Sequence, residues 1–101
     1  MCLRRLMIAS AFVLAFSGLA GAAPENFSPD TDRPGSDFRN IALWGNAQEC
    51  QRLCAVNREC RAWTFVRPGV QGASARCFLK NVIPAAVDNS CCTSGVIRRN
   101  L

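Results

Sequence analysis

The sequence predicts a small α+β domain that is held together by disulfide bonds. One stretch has the N-cap and the apolar periodicity of an α-helix, and the stretches around it have the composition or the alternation of β-strands. Seven of the 101 residues are cysteines, and six of them follow residue 49. Since a domain of this size buries too little apolar surface to be comfortably stable by packing alone, covalent cross-links are expected.

The first 22 residues are organised like a secretory signal peptide. Arg4 and Arg5 precede an apolar run of 15 residues, and small residues with an A-x-A pattern follow up to Ala22. A run of this length is short of the ~20 residues that a membrane-spanning helix needs. We therefore expect cleavage after Ala22, no membrane span, and a secreted or periplasmic protein whose cysteines are oxidised.

The chain after the signal peptide is expected to be one domain at 30–98, with a leader at 23–29 and a basic tail at 99–101. The polar stretch 23–34, which contains proline and aspartate, is expected to run over the surface. Without the two signal-peptide arginines, ten of the twelve basic residues stand against seven acidic ones, a net charge of +3. A charge this weak makes a polyanionic ligand one candidate without requiring it, and no nucleic-acid partner is expected.

One α-helix is predicted, from Asn46 to Asn57. Asn46 is a favourable N-cap, and Glu49 three residues later resembles the second half of a capping box. Apolar positions at helical spacing place Cys50 and Cys54 on one buried face. Asn57 tolerates the left-handed conformation that commonly ends a helix. The helix is therefore expected to present two cysteines to its neighbours.

Strands are predicted on both sides of the helix, at 38–43, 61–66, 76–80 and 93–97. In the second of these, Trp63 and Phe65 lie two residues apart and therefore share one face. We expect both rings in the core beneath the helix rather than on a surface where a sugar would stack.

Six cysteines allow fifteen pairings, and spacing alone does not choose among them. Cys50 and Cys54 are better placed to bond outward than to each other, because their Cα–Cβ bonds run nearly parallel on the helix. Cys60 lies just past the helix and can fold back to Cys54. Cys77 lies in a predicted strand and can reach Cys50. Two disulfides, Cys50–Cys77 and Cys54–Cys60, are therefore expected.

Cys91 and Cys92 remain without an assigned partner. Neighbouring residues of a strand face opposite sides, so both side chains cannot enter one core. We expect a vicinal disulfide between them. A bond to a second chain, free thiols and a different pairing overall stay open as alternatives. The same pair is the candidate for thiol–disulfide chemistry, because the sequence has no C-x-x-C motif.

Arg67, Arg76 and Lys80 flank the predicted hairpin and form the candidate binding site. Together they make a small anion-binding patch for a sulfated sugar or an acidic partner. The simpler alternative is that the three side chains lie on a solvent-exposed face and bind nothing.

No grouping for catalysis or for a cofactor is recognised. The sequence has no histidine to act as a general base and no motif centred on a nucleophilic serine. Cys50-x3-Cys54 has a spacing found in zinc sites, but oxidation would compete with metal binding. We therefore expect neither an enzyme nor a metal or organic cofactor.

These motifs resemble the PAN/Apple domain family. The resemblance rests on the cysteines at 50, 54 and 60, the W-T-F strand at 63–65, the C-F-L-K strand at 77–80 and the C-C-T-S-G-V segment at 91–96. The segment 32–38 is similar to the N-terminal part of the family's bacterial branch.

The resemblance implies a curved antiparallel sheet that cradles one α-helix, with the helix bound to the central strands by two disulfides. It implies a binding module for a protein or a carbohydrate rather than an enzyme. Apple domains of animal proteins add a third bridge between their two ends. Here no cysteine lies between Ala23 and Cys50, so that bridge is not expected, and the redox function of Cys91 and Cys92 stays the alternative.

Overall fold

The computed structural model describes residues 25–99. The predicted signal peptide at 1–22 lies outside the described residues, as do the start of the leader at 23–24 and the end of the basic tail at 100–101. The domain boundaries therefore stay a prediction. Within the described range, no helix has the length and hydropathy needed to span a bilayer.

Residues 25–99 form five strands and one helix. In chain order they are β1 (Ser28–Asp32), β2 (Asp37–Leu43), α1 (Ala47–Ala55), β3 (Ala62–Val66), β4 (Ala75–Lys80) and β5 (Val87–Val96). The strands make one open sheet in the order β1-β5-β3-β4-β2, and every neighbouring pair is antiparallel. The predicted α+β class, the helix and the four predicted strands are confirmed.

The start of α1 is capped as its sequence predicts. The side-chain oxygen of Asn46 accepts a hydrogen bond of 3.1 Å from the backbone N–H of Glu49. The carboxylate of Glu49 does not complete the capping box, because it accepts two hydrogen bonds, of 3.1 and 2.6 Å, from Arg52 one turn later. The Glu49 side chain thus forms a surface ion pair with Arg52 instead of a capping-box hydrogen bond to the backbone of Asn46.

The end of α1 is capped by an arginine from the end of the chain. The guanidinium of Arg99 donates to the carbonyl oxygens of Cys54, Ala55, Asn57 and Cys60 at 3.0, 3.3, 2.8 and 3.1 Å. A helix leaves its last carbonyls without intrahelical partners, and a cation there also suits the helix dipole. The left-handed conformation expected of Asn57 was wrong, because its φ is not positive. Its N–H still donates to the carbonyl oxygen of Cys54 at 3.1 Å, and Arg99 supplies further donors at this end of the helix.

Strand β1 lies in the stretch that was expected to run over the surface. It pairs with β5 at one edge of the sheet, with Pro29 opposite Thr93. Pro29 has no N–H to donate, and Asp30 takes a φ of 52° where the register of the pair shifts. β1 thus pairs with β5 as a strand although its composition is that of a loop.

The core lies between α1 and one face of the central strands. Trp63 and Phe65 of β3 are 0% and 8% exposed and pack there with residues of α1 and β4, which confirms the prediction for both rings. The ring of Phe27 lies 5.6 Å from that of Trp63 between centroids. Because side chains alternate along a strand, the residues between these point to the opposite face of the sheet.

Candidate functional site

A cleft of about 490 Å³ lies on the sheet face opposite α1. Its floor consists of buried residues, namely Thr64, Val66, Lys80 and Cys92. Its walls include the partly exposed residues Asp32, Phe78 and Cys91. Its rim consists of exposed residues, namely Pro34, Gly35, Asp37, Val70, Gln71 and Asn89. The cleft is thus a depression with a buried floor and an exposed rim.

The registers of the central strands explain how the floor is assembled. Thr64 of β3 lies opposite Phe78 of β4, and Val66 of β3 lies opposite Cys92 of β5. Partners across an antiparallel pair point to the same face, so these side chains all leave the sheet on the side away from α1.

Lys80 brings a positive charge to the floor. Its side chain is only 3% exposed, and its ammonium group pairs with the carboxylate of Asp37 and donates to the carbonyl oxygen of Gly35 at 3.1 Å. A buried ammonium without such partners would be strongly unfavourable. The side chain of Asp37 is 39% exposed, so the carboxylate partner still meets solvent at the rim.

The turn between β1 and β2 is shaped to reach Lys80. Gly35 has a φ of 95° and Ser36 a φ of 63°, both in the left-handed region. The carbonyl oxygen of Ser36 accepts from the N–H of Asn81 at 3.2 Å, which fixes the turn against the end of β4. Ser36 is not a glycine, so its positive φ persists only because surrounding contacts hold it.

Thr64 offers an unsatisfied hydroxyl at the floor of the cleft. The residue is 2% exposed, and its Oγ1 has no hydrogen-bond partner among residues 25–99. Buried hydroxyls are nearly always hydrogen-bonded, so an exception calls for an explanation. Thr64 is one of the residues that line the cleft, so its hydroxyl lies next to the space that a polar molecule would enter.

Cys91 and Cys92 are joined as a vicinal disulfide where one wall of the cleft meets its floor, with their Cα atoms 3.7 Å apart. The backbone of Cys91 is held on both sides, because its N–H donates to Asn89 Oδ1 at 3.0 Å and its carbonyl accepts from the N–H of Arg67 at 3.1 Å. A carboxylate oxygen of Asp32 and the two sulfurs lie within 4.8 Å of one another. Thiolates are the metal-binding form of cysteine, so the bonded pair does not supply two metal ligands.

The other two disulfides fix α1 on the far side of the sheet. Cys50 bonds to Cys77 of β4, with Cα atoms 5.5 Å apart, and Cys54 bonds to Cys60, with Cα atoms 5.2 Å apart. All four of these residues are 0% exposed. These bonds support the sheet from the core side and take no part in the cleft.

Comparison with protein families gives a match of residues 31–80 to the PAN domain. The chain carries a PAN/Apple-like domain. No curated protein matched the chain. PAN domains are disulfide-rich modules that typically mediate protein or carbohydrate interactions and are generally not catalytic. The matched part of this PAN domain contains α1, its two disulfides, and Thr64 and Lys80 of the cleft, whereas Cys91 and Cys92 lie beyond it.

Only one of the three predicted binding residues reaches the cleft of the PAN domain. Lys80 is at the floor, where Asp37 balances its charge. Arg76 lies on the same face of β4, but its guanidinium donates to Asn40 Oδ1 at 2.9 and 2.6 Å. Arg67 follows the end of β3 and is exposed. The three residues are therefore not gathered into one site, and anion binding by them stays a prediction.

Three residues that line the cleft of the PAN domain were missed from the sequence. Phe78 stands between Arg76 and Lys80 at strand spacing, so the period of β4 would have placed its ring on the same face. Thr64 is the polar residue between Trp63 and Phe65, so strand alternation would have placed its side chain on the face opposite the core. Nothing in the sequence pattern indicated that Asp37 would turn toward β4, because that contact depends on how the turn at 33–36 folds.

Proposed function

We propose that this PAN domain is an exported binding module that takes an uncharged carbohydrate in the cleft opposite α1. The observation that carries the proposal is the buried, unpartnered hydroxyl of Thr64 at the floor. A ligand that hydrogen-bonds to this oxygen would satisfy a group that the protein alone leaves unsatisfied.

The chemistry of the cleft suits a sugar ring. A pyranose carries hydroxyl groups around its edge and an apolar C–H face. Thr64, Asp37 and Lys80 offer donors and acceptors for the hydroxyls, and Phe78 offers an aromatic ring for the apolar face. The volume of about 490 Å³ lies within the ~300–1,000 Å³ of typical small-ligand sites.

The charges of the cleft favour an uncharged ligand over a polyanion. Its charged lining residues are two carboxylates, Asp32 and Asp37, and one ammonium, Lys80, a formal sum of −1. The ammonium is moreover paired with Asp37. A sulfated sugar would therefore meet two carboxylates and an ammonium that is already paired, whereas a neutral sugar would only have to replace water.

We place the module outside the cytoplasm, secreted or periplasmic, after removal of residues 1–22. Three disulfides among residues 25–99 support this, because such bonds persist in oxidising compartments. The segment 32–38 favours the bacterial branch of the family. We assign no catalytic activity, since the free hydroxyl of Thr64 has no hydrogen-bonded base to activate it.

Thiol–disulfide exchange at Cys91 and Cys92 is the second candidate function, because the pair lines a cleft that solvent reaches. A redox enzyme needs an activated thiolate. Here the nearby carboxylate of Asp32 would oppose a second negative charge. We therefore assign the pair to the wall of a binding site.

Immobilised neutral and sulfated sugars test the proposal, with calorimetry on any sugar that retains the oxidised protein. We expect retention by a neutral sugar, and binding at least about tenfold weaker in Thr64→Val, a loss of ~1.4 kcal/mol. Gln48→Ala, an exposed change on α1, is the control and should bind like the wild type. Retention by sulfated sugars alone, or capture of a protein that Thr64→Val does not affect, would overturn the proposal.

A further inference from the structure

We propose that the Cys91–Cys92 disulfide is a reducible wall of the cleft, which a small thiol opens while the rest of the fold stays intact. The proposal concerns the same site as the proposed function, but it does not depend on which molecule the cleft binds. It assigns the adjacent cysteines a chemistry distinct from that of the four cysteines around α1.

Access to sulfur separates the three disulfides. Exchange requires a thiolate to reach a sulfur atom of the bond. Cys50, Cys54, Cys60 and Cys77 are all 0% exposed, so a reductant reaches their sulfurs only after the protein opens. Cys91 is partly exposed, and it lines a cleft that is open to solvent at its rim.

The reaction needs two equivalents of a small thiol, which is the co-reactant that we name. The thiolate of the first attacks Cys91 Sγ, and a mixed disulfide forms. Cys92 Sγ leaves and takes up a proton, because the nearby carboxylate of Asp32 disfavours a lasting negative charge on this sulfur. The second thiolate attacks the small-thiol sulfur of the mixed disulfide and releases Cys91, which is protonated in turn. The protein gains two electrons and two protons, and the small thiols leave as their own disulfide.

Reduction changes the cleft because the bond holds Cys91 in the wall. Cys92 lies opposite Val66 in the ladder between β5 and β3, and the strand alternation alone points its side chain to the cleft face. The neighbouring Cys91 would point to the opposite face, and only the bond between the sulfurs keeps it with Cys92. Once the bond is broken, the Cys91 side chain is free to leave the wall, while hydrogen bonds to Asn89 and Arg67 keep its backbone in place.

The pair also lies outside the part of the chain that matches the PAN domain, which ends at residue 80. The four cysteines around α1 all lie inside that part. The disulfides that hold α1 therefore do not include this pair.

Timed alkylation tests the proposal on the full oxidised protein. The protein is treated with dithiothreitol, quenched with iodoacetamide and mapped by mass spectrometry, while circular dichroism monitors the fold. We expect Cys91 and Cys92 to be labelled at least ~100-fold faster than the other four, because those require unfolding. Labelling of all six cysteines together, or of Cys54 and Cys60 first, would overturn selective opening.

A ligand-free measurement tests the change in the cleft. Amide chemical shifts are compared before and after reduction in the wild type and in the double variant Cys91→Ser, Cys92→Ser. We expect shifts at Val66, Arg67 and Asn89 in the wild type alone, with those of α1 unchanged. Wild-type spectra that do not change on selective reduction would refute a role in the wall. Since no sugar is present, this result is independent of whether the carbohydrate proposal stands.

Discussion

Thr64 and Ser94 lie directly opposite each other across β3 and β5, and both carry buried hydroxyls that have no hydrogen-bond partner within residues 25–99. They differ in one respect: Thr64 lines the cleft, whereas Ser94 is not part of its lining. Substitutions at these two positions can therefore distinguish the effect of an unsatisfied hydroxyl on the stability of the sheet from its effect on binding in the cleft.

Thr64→Val should stabilise the protein and weaken the binding of a neutral sugar. Valine has nearly the shape of threonine and removes a buried hydroxyl that is unsatisfied, so the free energy of unfolding should rise by about 1 kcal/mol. Urea denaturation measures this. Ser94→Ala is the matched control, in which stability also does not fall but sugar affinity stays at the wild-type value. A loss of stability of ~1 kcal/mol or more in Thr64→Val would mean that the hydroxyl has a partner.

Asp37→Asn should destabilise the protein more than Lys80→Met does. The first change leaves a buried ammonium without its counter-charge, which is expected to lower the free energy of unfolding by roughly 1–3 kcal/mol, because the partial exposure of Asp37 reduces the full effect of breaking a buried pair. The second removes the buried charge and leaves a carboxylate that water can solvate. Urea denaturation, which adds no salt, gives the order, and the reverse order would contradict the ion pair described here.

Arg99→Ala should destabilise the end of α1. The substitution removes the charged donor from the carbonyls of Cys54, Ala55, Asn57 and Cys60, of which Cys54 and Asn57 keep a backbone N–H partner. A loss of roughly 1.5–3 kcal/mol is expected. Thermal unfolding and hydrogen exchange of the last turn of α1 measure it. The neighbouring Arg98→Ala is the control and should change stability little, because its pair with Glu25 is exposed. Equal effects of the two changes would rule out a capping role for Arg99.

Glu25 and Glu49 should titrate below their ordinary value of 4.5. A hydrogen bond from Arg98 lowers the pKa of Glu25, and one from Arg52 lowers the pKa of Glu49. Because both values are lower in the folded state, their small contribution to stability is present above about pH 4.5 and is lost as the pH falls through the folded values. Carboxyl carbon shifts measure the titrations, and Arg98→Ala should return Glu25 to its ordinary pKa while Glu49 stays low.

Occupancy of the cleft and oxidation of its wall should be coupled. A neutral sugar should shift the equilibrium of Cys91–Cys92 in a thiol–disulfide buffer toward the disulfide, and by reciprocity the reduced protein should bind that sugar less tightly. Alkylation with and without D-glucose, D-galactose, D-mannose or N-acetyl-D-glucosamine measures the first effect, and calorimetry on both forms measures the second. Equal affinity of the two forms would show that the wall does not contact the sugar.

The elements that local chemistry determines were predictable from the sequence. Asn46 caps α1 where a helix-capping residue was expected, and Trp63 and Phe65 entered the core that their alternation predicts. These features depend on spacings of two to four residues, which are visible along the chain.

The features that depend on distant contacts were not predictable. β1 contains proline and aspartate and becomes a strand only because β5 offers it a partner. Arg99 reaches Cys54 across 45 positions of the sequence, and Lys80 meets Asp37 across 43. The cleft is built from contacts of this second kind, so the sequence pointed to Lys80 but not to the residues that surround it.

Chemical-shift mapping on isotope-labelled protein tests directly whether the cleft opposite α1 binds a neutral sugar. The oxidised protein is titrated with the neutral sugar that best retains it on the immobilised panel. We expect the largest shifts on Thr64, Phe78 and Lys80, with those of α1 unchanged, and we expect Thr64→Val to abolish or greatly weaken them. Shifts confined to α1 or to residues remote from the cleft would contradict binding in the cleft, as would the absence of any shift with every neutral sugar tried.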